Sequence, residues 1–139
     1  MKREIVTLIG SSRFLEAHAQ AMKRETLAGR ICIGMGLFGH NEPGFDMDGP
    51  VKQMLDELHL DKIRLADTVF VVNEMEYRCS LCKSFYEASG KSNCKCNAMT
   101  ETAPYIGAST RRELAFARDA GKNIRWLMPC AEALPGETL

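Results

Sequence analysis

Three short stretches hold residues whose types and spacing suit chemistry: GSSR at 10–13, CSLCKSFYEASGKSNCKC at 79–96 and GASTRRE at 107–113. In the first, Gly10, Ser11 and Ser12 make a turn rich in backbone N–H groups and hydroxyls, and Arg13 adds a cation. If a helix opens there, phosphate or another anion is the natural ligand. The same serines suit an ordinary helix N-cap. The Gly-x-Gly-x-x-Gly spacing of a dinucleotide fingerprint is absent. In the last stretch, Gly107, Ser109, Thr110 and Arg112 lead up to Glu113. Thr110 and Glu113 have the Thr-x-x-Glu spacing of a capping box, where the glutamate is purely structural. A carboxylate at a helix start facing an anion turn is also placed to act as nucleophile or base.

The middle stretch has the spacing Cys-x2-Cys-x11-Cys-x-Cys, from Cys79, Cys82, Cys94 and Cys96. Two close pairs can each bite one tetrahedral ion while the intervening loop folds back. Four thiolates suit a structural zinc and leave no open position for catalysis. An iron–sulfur cluster uses the same ligands, and reduced thiols or an oxidised pair are the metal-free readings. The surrounding insert is poor in apolar residues, so a metal would supply the core it lacks. Cys32 and Cys130 stand alone.

These stretches are positioned by an alternation of strands and helices. Residues 5–9 read as a buried strand ending at Gly10. A helix is expected over 13–27, with Leu15, Ala19 and Met22 on its apolar face and His18 solvated. A second strand is expected over 31–35, followed by a long Gly/Pro/Asn/Asp loop that contains His40. Pro50 opens the next helix. Val51, Met54, Leu55 and Leu58 recur there at i, i+3, i+4 and i+7, and His59 borders that face. TVFVV at 68–72 is the clearest strand. The insert at 74–104 breaks the rhythm. A helix returns over 110–120 with Gly121 as its stop, a last strand covers 123–127, and the tail is expected to be irregular. This order predicts one α/β domain over 1–139, a small doubly wound parallel sheet of Rossmann or flavodoxin-like type, with a zinc-binding insert.

Lys+Arg and Asp+Glu both number 18, so no global basic field draws nucleic acid. Within the insert, Arg78, Lys83, Lys91 and Lys95 are balanced by Glu74, Glu76, Glu87 and Glu101, which argues the same way. No apolar run is long enough for a membrane span or a signal-peptide core, so a cytoplasmic protein is expected.

Taken together, the GSSR turn, the DKIRLADTVFVV unit and YIGASTRRELAFARDAGKNIRWL resemble the nucleoside 2-deoxyribosyltransferase superfamily. That group includes the deoxynucleoside 5′-monophosphate N-glycosidases, whose phosphate turn also reads Gly-Ser-x-Arg. The resemblance covers roughly residues 4–73 and 104–127 and leaves out the cysteine insert. It implies cleavage or exchange of an N-glycosidic bond in a nucleoside or nucleotide, with no organic cofactor. In that family a glutamate at a helix start attacks the anomeric carbon, and the matching residue is Glu113 within STRRELAFA. Residues 10–13 would hold phosphate or sugar hydroxyls. The family also carries an aspartate eight residues before the Ala-Asp that opens the third strand, and counting back from Asp67 lands on His59 instead. A histidine there can donate a hydrogen bond or a proton. The loss of the aspartate also admits an alternative, a non-catalytic nucleotide-binding or sensing module. Finally, the family builds its sites at subunit contacts, which implies a homo-oligomer.

Overall fold

The computed structural model describes residues 2–36, 49–82, 85–86, 94–96 and 99–139 of the 139-residue chain. The strands are β1 (Ile5–Ile9), β2 (Ile31–Ile33), β3 (Thr68–Val71), β4 (Met75–Cys79), β5 (Phe85–Tyr86), β6 (Thr100–Pro104) and β7 (Asn123–Trp126). The helices are α1 (Leu15–Leu27), α2 (Pro50–Leu65) and α3 (Ala108–Asp119). The predicted long loop, with His40, falls almost wholly outside the described residues.

The main sheet has four strands in the order β2-β1-β3-β7, all parallel. This is the doubly wound α/β arrangement the alternation predicts. Side chains alternate across it, so each face builds its own core. Val6, Leu8, Phe70 and Val72 pack with Ala21 of α1 on one face. Ile9, Val69, Val71, Ile124 and Trp126 pack with Ile63 of α2 and with Leu114 and Ala117 of α3 on the other. Phe70 and Trp126 are almost fully buried, and burying each contributes roughly 2–3 kcal/mol. The chain reverses its winding between β1 and β3, and in open α/β sheets the crevice beyond the strand ends at such a point is where ligands bind.

Gly10 ends β1 at this crevice. Its φ is +139°, a region L side chains rarely adopt, and a Cβ there would lie 2.3 Å from the Val72 carbonyl oxygen. Gly10→Ala should therefore lower stability by about 3 kcal/mol, from backbone strain and a collision with main chain that cannot yield. Urea unfolding checks this, and an unchanged midpoint would contradict the turn geometry.

Two helix faces differ from the pattern expected. On α1 the residues against the sheet are His18, Ala21 and Glu25, while Leu15 is 59% exposed and Ala19 is also exposed. The buried polar groups are there because partners meet them. Glu25, fully buried, takes paired hydrogen bonds from Arg125 at 2.9 Å each and another from Arg30 at 2.8 Å. On α2 the inward residues include Leu55, His59, Leu60 and Ile63, and the stripe of Val51, Met54 and Leu58 points to solvent.

The insert, which breaks the α/β rhythm and for which no element was assigned from the sequence, forms a three-stranded antiparallel sheet in the order β5-β4-β6. Its β4 to β6 ladder runs from Met75 opposite Pro104 to Cys79 opposite Thr100. The tail is irregular but docked. Thr138 exchanges backbone hydrogen bonds with the edge of β7, its carbonyl accepting from Trp126 N at 2.7 Å. Glu137 accepts from Arg118, from the Trp126 indole and from Leu134 N. The tail thereby covers the open edge of the sheet.

Candidate functional site

Helix α3 starts at Ala108, with Gly107 as its N-cap and no side-chain cap hydrogen bond. Thr110 is thus the third helical residue and Glu113 the sixth, which excludes the capping box. A box needs its Thr one residue ahead of the helix and its Glu at the third position. Glu113 is 7% exposed, and its carboxylate turns across to α2. His59 Nδ1 lies 3.3 Å from Glu113 Oε1. The carboxylate only accepts, so His59 carries its proton on Nδ1 in this contact. Glu113 Oε2 is buried and has no hydrogen-bond partner among the described residues. An unpaired buried carboxylate oxygen costs stability.

Lys62 was not singled out from the sequence. It stands one turn beyond His59, and its Nζ donates to the Gly34 carbonyl at the end of β2 at 3.0 Å. Burial pushes its ammonium below the ordinary lysine range, and the Glu113 carboxylate pulls it partly back. The i, i+3 spacing from His59 was the signal that would have found it.

Residues 10–13 do not cap α1. The helix begins at Leu15 with Phe14 as its N-cap and no side-chain cap bond, so neither Ser11 nor Ser12 is an N-cap. The turn stands one step ahead of the helix. Ser11 Oγ accepts from Arg13 N at 3.3 Å, and its carbonyl accepts from Phe14 N at 3.2 Å. His18, expected in solvent, is 3% exposed and lies beneath this turn, with Nε2 3.2 Å from the Ser11 carbonyl. A carbonyl only accepts, so the proton sits on Nε2. Burial holds the imidazole below its ordinary pKa, against the opposing pull of the Ser11 and Gly10 backbone.

The turn and the lead into α3 meet through Tyr105. The Arg13 guanidinium stacks 4.1 Å from the Tyr105 ring centre and donates to its hydroxyl at 3.3 Å. Phe14 packs edge-on against the same ring. A Cβ on Gly107 would lie 3.0 Å from the Tyr105 hydroxyl, tighter than most such contacts. Tyr105 is the second residue the sequence reading missed, since a lone tyrosine before a glycine carries no positional signal. Ile106 packs in the same core cluster as Ile9, which brings the two helix starts to one edge of the sheet. Ser109 and Arg112 are exposed on the first turns of α3 and bonded to each other at 3.1 Å. Arg111 instead reaches Glu132 of the tail. Ser12 is half-buried in the turn, and Thr110 is 4% exposed. The opposite face of the sheet has a shallow depression between α1 and residues Glu74 and Leu127, which contains none of the candidate residues.

All six cysteines are free thiols. The Sγ atoms of Cys79, Cys82, Cys94 and Cys96 lie within 4.8 Å of one another. Metal–sulfur bonds of about 2.3 Å place tetrahedral sulfurs about 3.8 Å apart. The group therefore closes on such an ion with small shifts. Hydrogen bonding with Cys82, together with burial, pushes the Cys96 thiol up to about 12. Neutral thiols crowd unfavourably once ionised, and a bound cation would draw their protons off. Cys32 is a different case, an isolated, half-buried thiol whose burial pushes it up to about 11, which disfavours the thiolate.

Among the described residues, no helix is long and apolar enough to cross a membrane. No family model and no curated protein matches this chain. Among solved structures, the Clostridium botulinum CMP N-glycosidase BcmB superposes with a TM-score of 0.47 at 12% identity, over 88% of this chain and 70% of that one. A likeness of this order carries no functional argument, which must come from the side chains.

Proposed function

We propose that this chain cleaves or transfers the N-glycosidic bond of a nucleoside or nucleotide, with Glu113 as nucleophile. The observation that supports it best is the Glu113 carboxylate: buried, anchored through Oε1 by His59, and with Oε2 bonded to nothing else among the described residues. Oε2 attacks the anomeric carbon. The bond to the base nitrogen breaks, its electron pair leaves with the base, and a glycosyl ester remains. The departing base takes up a proton, a task suited to His59. Water or a second base then attacks the same carbon and frees the carboxylate. Residues 10–13, with Ser109 and Arg112, would hold phosphate or sugar hydroxyls, and His18 fixes the Ser11 carbonyl from below. His59 thus stands where the resemblance expects an aspartate, and in addition it orients Glu113 through the Nδ1 contact. The exposed stripe of Val51, Met54 and Leu58 on α2 supports the homo-oligomer that the resemblance implies.

Incubating the purified protein with deoxynucleosides, their monophosphates and NAD, and measuring free base, tests this reading. Base release supports it. Saturable nucleotide binding without base release from any of them would favour a sensing module instead.

The four cysteines are proposed as a structural zinc site, since four thiolates in a closed tetrahedron suit that ion. Freshly reduced protein should contain one zinc per chain by elemental analysis, and Cys94→Ser should weaken its retention by about tenfold or more. Finding neither zinc nor iron would sink the metal assignment.

A further inference from the structure

We infer that metal occupancy of the cysteine cluster sets the position of Tyr105 over Arg13, so that the hairpin controls the anion turn from a distance. The inference rests on the metal reading of the cysteines and is independent of the glycosidase reading.

The path is a continuous ladder. Ser80, between two of the cysteines, donates from its backbone N to the Met99 carbonyl at 3.0 Å. The β4 to β6 pairs then run without a break from Cys79 opposite Thr100 to Met75 opposite Pro104. One step further, Tyr105 N donates to the Glu74 carbonyl at 3.0 Å. The five steps from Cys79 to Glu74, at about 3.4 Å each, span about 17 Å. Beyond them, the Tyr105 side chain lies on Arg13 and the Tyr105 backbone leads into Gly107 and α3.

Among the described residues, apolar burial along this ladder is slight. Cys79 is fully buried, but Tyr77 is 43%, Leu81 73% and Met99 83% exposed. Among the described residues, no cluster of the apolar core reaches β4, β5 or β6. A small sheet whose described apolar side chains are this exposed gains little from burial, so cross-linking its open end through four sulfurs would add stability. When the ion leaves, the ladder frays from Cys79 and Thr100 toward Tyr105, and the ring is no longer held against the guanidinium. The main sheet, with its own two cores, stays folded.

Two NMR readouts test this without any assay of turnover: the ring-current shift of the Arg13 side-chain protons, and amide exchange along the chain. Wild type and Cys96→Ser are compared with zinc and after chelation, with zinc stoichiometry measured alongside. In the zinc-loaded wild type the Arg13 protons should be shifted upfield and the Tyr105 amide protected. Chelation should abolish the shift and speed Tyr105 exchange by at least about tenfold, while β1 and β3 keep their protection. Cys96→Ser should resemble the chelated protein. In Tyr105→Leu the Arg13 shift should vanish with zinc still bound and the hairpin still protected. Failure to bind zinc overturns the zinc-dependent coupling. One bound equivalent with an unchanged Arg13 and Tyr105 on chelation overturns the coupling alone. So does loss of β1 and β3 protection, which would make the ion a global support.

Discussion

Glu113→Gln should abolish base release, by about 10³-fold or more, and leave the fold standing or slightly firmer. The substitution keeps shape and volume and removes the charge. A structural carboxylate would behave differently: loss of a helix cap costs about 1 kcal/mol, and loss of a well-paired buried ion costs more. Glu113 is not such a group. Its Oε1 has one long contact with His59, and its buried Oε2 has no partner among the described residues. Removing a poorly satisfied buried charge relieves a desolvation cost, so the thermal midpoint should hold or rise, the usual sign of stability given up for activity. His59→Ala should also lower the rate, by a smaller factor of about 10²-fold, as expected for a group that orients a nucleophile and supplies a proton. Kinetics and thermal unfolding on the same preparations separate these cases. A glutamine variant that loses stability and activity together would return Glu113 to a structural role.

The largest loss of stability should come from the other face of the sheet. Glu25→Ala should cost about 3–5 kcal/mol, a large share of the 5–15 kcal/mol typical of a whole domain. The carboxylate is fully buried between α1 and β7, held by Arg125 in a two-point contact and by Arg30. Arg30 also donates to Glu4, which accepts from Thr68, so the cluster ties α1, β1, β3 and β7 together. Both arginines would be left without this partner, and the Arg125 guanidinium lies 5.2 Å from the Phe70 ring centre, in the core beneath α1. Burial acts to raise the Glu25 pKa, but Arg125 and Arg30 outweigh it and hold the group below its ordinary value. A carboxylate depressed in the folded state adds stability above its unfolded pKa and loses it as pH falls through the folded one. Glu137, held down mainly by Arg118, acts in the same direction. Urea midpoints should therefore be flat near neutrality and fall below about pH 4. Glu25→Ala should be less stable at pH 7 and lose less on acidification. A variant with the wild-type midpoint at pH 7 would remove this network from the account.

The alternation of short β-branched runs with helical stretches was enough to read the parallel sheet. Its strand limits fell within two residues of those expected, as at β2, which ends at Ile33 rather than residue 35. Helix faces were less legible, because apolar periodicity assumes that buried means apolar. Glu25 and His18 break that assumption: their partners, Arg125 and the Ser11 carbonyl, lie far along the chain or in a turn. The α2 stripe misled in the opposite sense, since its apolar residues face solvent in the single chain. The β4 to β6 ladder was hidden because its strands are polar and separated by 20 residues, from Ser80 to Met99. At the site, the carboxylate was visible as a residue but not as a geometry. Thr-x-x-Glu spacing signified a cap only if the helix began after Thr110, and it begins at Ala108. Tyr105 owes its place to contacts across elements, which spacing alone does not encode, whereas Lys62 was legible only through its i, i+3 spacing from His59.

Whether Glu113 forms a covalent bond to the sugar can be seen directly in the mass of the protein quenched during turnover of a deoxynucleoside monophosphate. Cleavage after Arg112 and Arg118 releases residues 113–118, ELAFAR, in which Glu113 is the sole side-chain carboxylate. The account predicts that this peptide gains the mass of a deoxyribosyl phosphate unit, and that the gain is absent in Glu113→Gln. Continued base release with the peptide unmodified, and undiminished in the Gln variant, would contradict it.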